Sequence, residues 1–192
     1  VYSYYKSNNM KKLITLLLVL VSLLGYSQKK ITSIVELREW NKLVDSTQTY
    51  FNGEDNLDSV LVLLNEYRVE NGVNPLILTK SLCDVAKIQS QYCSDNLIVT
   101  HKQNEELLES CYQRGWKFGE YNVSGEVIVE RSIRSMLLRD ETIYSSPIEG
   151  LKLSKGHSYI MKKSEYVKCG ISIIQSDVDK NRYFTVIVFS EK

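Results

Sequence analysis

The chain has 192 residues, and its 24 basic side chains nearly balance its 23 acidic ones, which gives a net charge of +1. This balance gives no indication of a nucleic-acid or anionic-membrane partner. The length suits one globular domain preceded by a short leader.

Residues 1–27 have the pattern of a few upstream residues followed by a secretory signal peptide. A basic start at Lys11 and Lys12 precedes a mostly apolar run over residues 13–24, which is too short to span a bilayer comfortably. We therefore predict cleavage before Gln28 and a secreted, extracellular or periplasmic protein, against the alternative of an uncleaved N-terminal anchor. Removing the three lysines of this segment from the 24 basic side chains leaves 21 against 23 acids, a net charge of −2 with no predicted membrane span.

Residues 28–56 are predicted to be an N-terminal extension or linker. Within it, the apolar residues of 34–44 fit a short helix, and residues 51–56 form a polar break. Residues 57–192 then make up the predicted domain.

Three helices are predicted in the first half of the domain from apolar residues at helical spacing and from capping residues at their ends. They run from Leu57 to just before Gly72, from a cap at Thr79 or Ser81 to about Cys93, and from Asn104 to Arg114, ended by Gly115.

The second half of the domain is predicted to contain a β-sheet. Residues 126–130 alternate in the manner of a strand, and residues 132–139 fit a helix. Residues 170–174 and 183–189 are rich in β-branched and aromatic side chains and flank a turn-rich loop, which predicts an antiparallel hairpin. Helices that precede and interrupt at least three strands indicate an α+β fold.

Four short motifs follow one another along the domain. They are Leu63-Leu64-Asn65-Glu66-Tyr67-Arg68 with Gly72-Val73-Asn74-Pro75-Leu76, then His101 after the second helix, then Ser124-Gly125-Glu126, and finally Ser154-Lys155-Gly156-His157. In this order they resemble the CAP superfamily, in particular the small bacterial SCP-like extracellular proteins. The resemblance covers nearly all of the domain and implies the CAP-type α–β–α sandwich, with an antiparallel sheet between helices.

The resemblance also implies a site, because two histidines and two acidic residues line a central cleft in the wider family. Three of these positions match His101, Glu126 and His157. Two neutral imidazoles and a carboxylate can bind a divalent metal such as zinc and leave a position open for water. The same groups can serve as a general base with its orienting partner. The alternative is that both histidines are structural, each held by a hydrogen bond at the edge of the sheet.

The sequence departs from the family pattern around this site. Val127 replaces the asparagine of the "GEN" motif, and Lys155 replaces the proline of the "S-P-G-H" motif. Leu151 stands where a tryptophan is usual. The fourth acidic residue has no clear match, although Glu141 and Glu149 are candidates by position. These departures weaken the case for catalysis.

Other polar residues near the motifs have simpler interpretations. Glu120 also follows a glycine, but Glu126 is preferred because a strand-like run follows it directly. Ser154 is predicted to be a turn or cap residue, since no nucleophile elbow surrounds it. Tyr67 is interpreted as a helix-packing residue and Arg68 as a surface or helix-end cation.

Four cysteines fall within the domain: Cys83, Cys93, Cys111 and Cys169. An even number in an exported protein suggests disulfides. Cys83 and Cys93 lie ten positions apart on one predicted helix, roughly 15 Å at the helical rise, which is beyond disulfide reach. If the cysteines pair, Cys83 or Cys93 is therefore expected to join Cys111 or Cys169; the alternative is four free, buried thiols.

Two functions follow from these observations. The first is an exported, non-enzymatic module that binds an extracellular lipid, glycan or protein through the cleft or the surface. The alternative is a metal-dependent, peptidase-like hydrolase that uses His101, Glu126 and His157. The altered motifs and the unmatched fourth acid favour the first.

Overall fold

The structure is a computed structural model that describes residues 57–191. The predicted signal peptide at 1–27 and the predicted extension at 28–56, with its short helix, lie outside the described residues. The helices are α1 (Leu57–Glu70), α2 (Lys80–Asn96), α3 (Cys111–Lys117), α4 (Ile133–Leu138), α5 (Ser145–Leu153) and α6 (Lys155–Met161). The strands are β1 (Ile77–Leu78), β2 (Val123–Ser132), β3 (Lys168–Gln175) and β4 (Arg182–Ser190).

The four strands form one sheet in the order β1-β3-β4-β2. β4 is central and pairs in antiparallel fashion with both β3 and β2, which confirms the predicted C-terminal hairpin. β1 pairs with β3 in parallel through Ile77 and Leu78 alone. Sequence reasoning missed this strand, because two residues are too few to show a period. β2 is left at the edge of the sheet.

Helices cover both faces of the sheet, which confirms the predicted α+β, α–β–α sandwich. One face packs against α1, α5 and α6 through a cluster that includes Leu64, Ile148, Met161, Ile171 and Phe189. The other face packs against α2 and α3 through a cluster that includes Leu82, Val85, Ile128, Phe184 and Val188. No helix of residues 57–191 is long and apolar enough to cross a membrane.

Arg68 lies at the end of its helix, which is one of the two predicted alternatives, but it is buried and not at the surface. Its side chain is fully buried at the C-terminal end of α1. The guanidinium donates hydrogen bonds to the carbonyls of Asn74, Met161, Lys163 and Tyr166 at 2.6–3.2 Å. Burial lowers the pKa of Arg68 to about 10. Arg68 therefore joins the end of α1 to the segment between α6 and β3.

The third helix begins seven residues later than predicted and continues past Gly115. Ser110 caps it, since its hydroxyl accepts a hydrogen bond from the Gln113 backbone while the Gln113 side chain accepts one from the Ser110 backbone. This capping box places the helix start at Cys111. Residues 104–110 form turns and bends instead. The Leu108 carbonyl in this loop accepts a hydrogen bond from the buried side chain of Arg114.

Two short helices, α5 and α6, occupy a region to which the sequence analysis assigned no structure. Ser154 separates them, and its hydroxyl accepts a hydrogen bond from the His157 backbone N–H at 3.4 Å. The prediction that Ser154 is a cap residue is therefore confirmed. Each helix is less than three turns long, too short for a sequence period to stand out.

All four cysteines are free thiols in the structure, so the expected bridge from Cys83 or Cys93 to Cys111 or Cys169 is not formed. Cys93 packs in the apolar cluster beneath α2, whereas Cys169 packs in the cluster on the opposite face of the sheet. The Cys83 sulfur accepts a hydrogen bond from the backbone N–H of Ile171 at 3.4 Å. The buried cysteines thus act as small hydrophobic residues, which was the alternative interpretation.

Candidate functional site

His101 and Glu126 meet at the edge strand β2. Nδ1 of His101 lies 2.9 Å from Oε1 of Glu126, and the imidazole is 55% exposed whereas the carboxylate is 2% exposed. Because a carboxylate oxygen accepts, Nδ1 carries the hydrogen, and the lone pair of a neutral imidazole is then on Nε2. The buried carboxylate therefore orients an exposed imidazole.

The strand presents Glu126 through its own geometry. A register irregularity between Val123 and Gly125 comes just before it, and such bulges commonly redirect side chains near functional sites. Glu126 then pairs with Val188 of β4 and shares a face of the sheet with Ile128, which packs beneath α2. The carboxylate is thus held on the α2 and α3 side of the sheet.

Arg114 completes this arrangement, and sequence reasoning missed it. Its side chain is fully buried on α3, and Nη2 donates to Oε2 of Glu126 at 2.5 Å. Nη1 donates to the carbonyl of Leu108 at 2.9 Å and, at 3.4 Å, to those of His101 and Glu109. One cation thus neutralises Glu126 and fixes the loop that carries His101.

A second set of buried groups holds the same loop on α2. The Gln89 side chain donates to the carbonyl of Thr100 at 2.5 Å, and Gln103 donates to the Gln89 side chain at 2.9 Å. The Cys93 thiol lies 3.6 Å from the same Thr100 carbonyl. The loop around His101 has no regular secondary structure, so these bonds and those of Arg114 determine where the imidazole lies.

His157 belongs to α6, in the layer of helices on the opposite face of the sheet. It lies in the first turn of α6, and its side chain is partly buried. Burial lowers the pKa of His157, and the positive charge of His101 lowers it further. The charge of His101 thus acts on the pKa of His157, although 56 positions separate the two residues in the sequence.

This interaction gives a pH prediction. The pKa of His157 in the folded protein lies below its unfolded value of about 6.5. The contribution of neutral His157 to the free energy of unfolding is therefore fully present above pH 6.5. That contribution is lost as the pH falls through the folded-state pKa. Replacing His101 by glutamine removes the repulsive charge, so the pKa of His157 is expected to rise. NMR titration of the two histidine Cε1–H signals measures this directly. An unchanged His157 pKa in the His101→Gln variant would show that the imidazoles do not interact.

The metal-binding role predicted for His101, Glu126 and His157 stays a prediction. Both oxygens of Glu126 are already bound, one by Arg114 and one by His101. Within residues 57–191, no three histidine, cysteine, aspartate or glutamate side chains are grouped so as to hold a metal ion. In this arrangement Glu126 orients the imidazole of His101.

The other acidic candidates have different surroundings. Glu149 pairs with Lys152 at 2.8 Å, whereas Oε2 of Glu141 is buried without a hydrogen-bond partner among the described residues. Glu120, the rival of Glu126, accepts a short hydrogen bond from the Ser81 hydroxyl at the start of α2. The structure therefore places Glu126, and not Glu120, against His101.

A known protein family matches the described domain. The family model described as the cysteine-rich secretory protein family, CAP, matches residues 61–189, which is more than half of the chain. No curated protein is significantly similar in sequence.

Two solved structures show the shared fold. An outer surface protein of Borrelia burgdorferi is 17% identical with a TM-score of 0.54, and the match covers 71% of this chain and 94% of that one. An extracellular protein of Bacillus anthracis that contains an SCP domain is 17% identical with a TM-score of 0.55; the match covers 71% of this chain and 40% of that one. The chain thus spans less than half of the second protein.

Proposed function

Because the chain belongs to the CAP family of cysteine-rich secretory proteins, we propose that it is an exported, non-enzymatic binding module whose ligand lies beside His101 and His157. The observation that supports this proposal is the pair of hydrogen bonds that Glu126 accepts. Both of its carboxylate oxygens are taken up by protein side chains. The carboxylate therefore anchors His101, and the exposed imidazole is the group offered to a ligand.

The charges around the imidazoles indicate the chemistry of that ligand. Arg114 offsets the charge of Glu126 inside the protein, so this carboxylate is not free to attract a cation. An imidazole can accept a hydrogen bond when neutral and donate from both nitrogens when protonated. An extracellular glycan, lipid or protein that presents hydroxyl, phosphate or carboxylate groups fits this chemistry.

A thermal-shift screen with N-acetylglucosamine oligomers, palmitate and short peptides tests the location of the binding site. At least one of these classes is expected to raise the melting temperature of the wild-type protein but not of a His101→Gln/His157→Gln double variant. Since the histidines are at least partly exposed, the double variant is expected to fold. Equal shifts in both proteins, or no shift with any class, would contradict the proposed site.

Hydrolysis of a fluorescent casein substrate, with and without added zinc, tests the proposal that the protein has no hydrolase activity. The wild-type protein and the double variant are expected to show the same background rate. Activity that the wild type has and the double variant lacks would establish the hydrolase alternative instead. Zinc binding by His101, Glu126 and His157 stays a prediction, and metal analysis of the purified protein checks it.

Export is supported by the pattern of residues 1–27 and by the relatives, which are described as an outer surface protein and an extracellular protein. Mass spectrometry of the mature protein is expected to find an N-terminus close to Gln28. A full-length product retained in the cytoplasm would overturn the exported assignment.

A further inference from the structure

Lysines surround two tyrosine rings at the corner formed by α5 and α6. Nζ of Lys152 and Nζ of Lys162 lie 5.3 and 5.9 Å from the centre of the Tyr67 ring. The Tyr67 hydroxyl is hydrogen-bonded to the Ser158 hydroxyl of α6 at 2.7 Å. Three elements, α1, α5 and α6, thus bring these two lysines together on one ring.

A second ring extends the same surface. Nζ of Lys163 lies 5.8 Å from the centre of the Tyr159 ring. Lys155 is exposed one helical turn before Tyr159 and therefore shares its face of α6. The neighbours Ser158 and Tyr159 connect the two rings. We define the lysine–tyrosine patch as Lys152, Lys155, Lys162 and Lys163 with Tyr67 and Tyr159.

The patch has a charge opposite to that of the whole mature chain. The four lysines of the patch and the two glutamates near them sum to a net charge of +2, whereas residues 28–192 together carry −2. The two glutamates, Glu149 and Glu165, pair with Lys152 at 2.8 Å and Lys163 at 3.7 Å. Positive charge is therefore concentrated on one corner, which the net charge of the sequence conceals.

Apolar groups protrude from the same corner. The Leu153 side chain at the end of α5 is 75% exposed, and Tyr159 is 67% exposed. A single exposed leucine is ordinary on a protein surface, whereas the exposed Tyr159 ring lies within the lysine–tyrosine patch. At a bilayer, a leucine can enter the acyl boundary, a tyrosine can lie at the headgroup level, and lysines can reach the phosphates.

We propose that the lysine–tyrosine patch docks the protein onto a bilayer surface that contains anionic phospholipids. This goes beyond the binding site proposed above, because it uses a different set of residues. Charge complementarity requires a negatively charged partner, since each lysine near an anionic leaflet is attracted to it. The exposed ring of Tyr159, which belongs to the patch, favours a bilayer over a soluble polyanion, because a soluble polyanion offers no apolar interior. His157 lies on the same short helix, so docking brings the candidate site close to the membrane surface.

Co-sedimentation with vesicles tests this proposal. At about 0.1 M salt, where surface charges interact over about 10 Å, the protein is expected to bind vesicles of phosphatidylcholine with 30% phosphatidylglycerol. It is not expected to bind pure phosphatidylcholine. Reversing two charges in a Lys155→Glu/Lys163→Glu variant is expected to reduce binding at least about tenfold. A Lys87→Glu/Lys117→Glu variant changes the net charge equally but on exposed positions of α2 and α3, and it is expected to bind like the wild type.

A third variant separates the apolar part of the surface from its charge. Leu153→Ser/Tyr159→Ser keeps every lysine and is expected to weaken vesicle binding severalfold. Circular dichroism of all variants confirms that they fold. Equal binding to both vesicle types, or equal losses from the two charge reversals, would overturn the proposal. The partner would instead be a soluble polyanion if two results were obtained together. The third variant would bind soluble polyphosphate as tightly as the wild type does, and it would also bind vesicles as well as the wild type.

Discussion

Replacing Arg114 by methionine is expected to lower the free energy of unfolding by about 3–5 kcal/mol. The substitution leaves the Glu126 carboxylate, which is 2% exposed, without the cation that lies 2.5 Å from it. It also removes the donor to the Leu108 carbonyl, which is buried with the guanidinium. Methionine fills much of the volume of the arginine stem, so the loss comes from the unpaired charge and not from a cavity. Urea unfolding of wild type and variant measures the difference.

Two further variants make the interpretation specific. Lys102 and Glu109 form an ion pair of 3.2 Å on the exposed side of the same loop, so Lys102→Met is expected to cost less than about 1 kcal/mol. Adding Glu126→Gln to Arg114→Met removes the unpaired charge and is expected to recover part of the lost stability. If the double variant loses the full sum of the two single losses, the pair is not coupled and this account of Arg114 is wrong.

The β-structure of the domain could be predicted from the sequence because its signals are local. The run of β-branched and aromatic residues over 183–189 lies next to its partner strand, with one turn-rich loop between them. The amphipathic α2 was equally visible, since its apolar residues repeat over a 17-residue helix. By contrast, β1, α5 and α6 are too short to impose a period on the sequence.

The candidate site could be predicted only in part. His101, Glu126 and His157 stood out through short motifs, and the structure places a hydrogen bond between the first two. Arg114 did not stand out, because an arginine near the end of a predicted helix is ordinarily solvated. Its role depends on Glu126, 12 positions later on a strand, and on a loop without regular structure. No local pattern reports such a buried cation.

Arg68 presents the same difficulty over a longer range, and Arg68→Met is expected to lower the free energy of unfolding by about 2–4 kcal/mol. Three of its four acceptors, the carbonyls of Met161, Lys163 and Tyr166, lie 93 to 98 positions further along the chain. Removing the guanidinium leaves these carbonyls without their donor, and this loss outweighs the relief of no longer burying a charge. The bonds also hold the segment that follows α6, so the variant is expected to loosen the corner that carries His157.

A matched surface substitution provides the control for Arg68. Arg134 on α4 is exposed, so Arg134→Met makes the same chemical change with an expected effect within about 0.5 kcal/mol. Arg68→Lys keeps the charge but replaces a planar fork with one ammonium, and it is expected to recover only part of the stability. Hydrogen exchange should then show faster opening in residues 161–168 of Arg68→Met, while the β3–β4 hairpin keeps its relative protection. Equal losses in the Arg68 and Arg134 variants would mean that the four hydrogen bonds of the Arg68 guanidinium contribute nothing to stability.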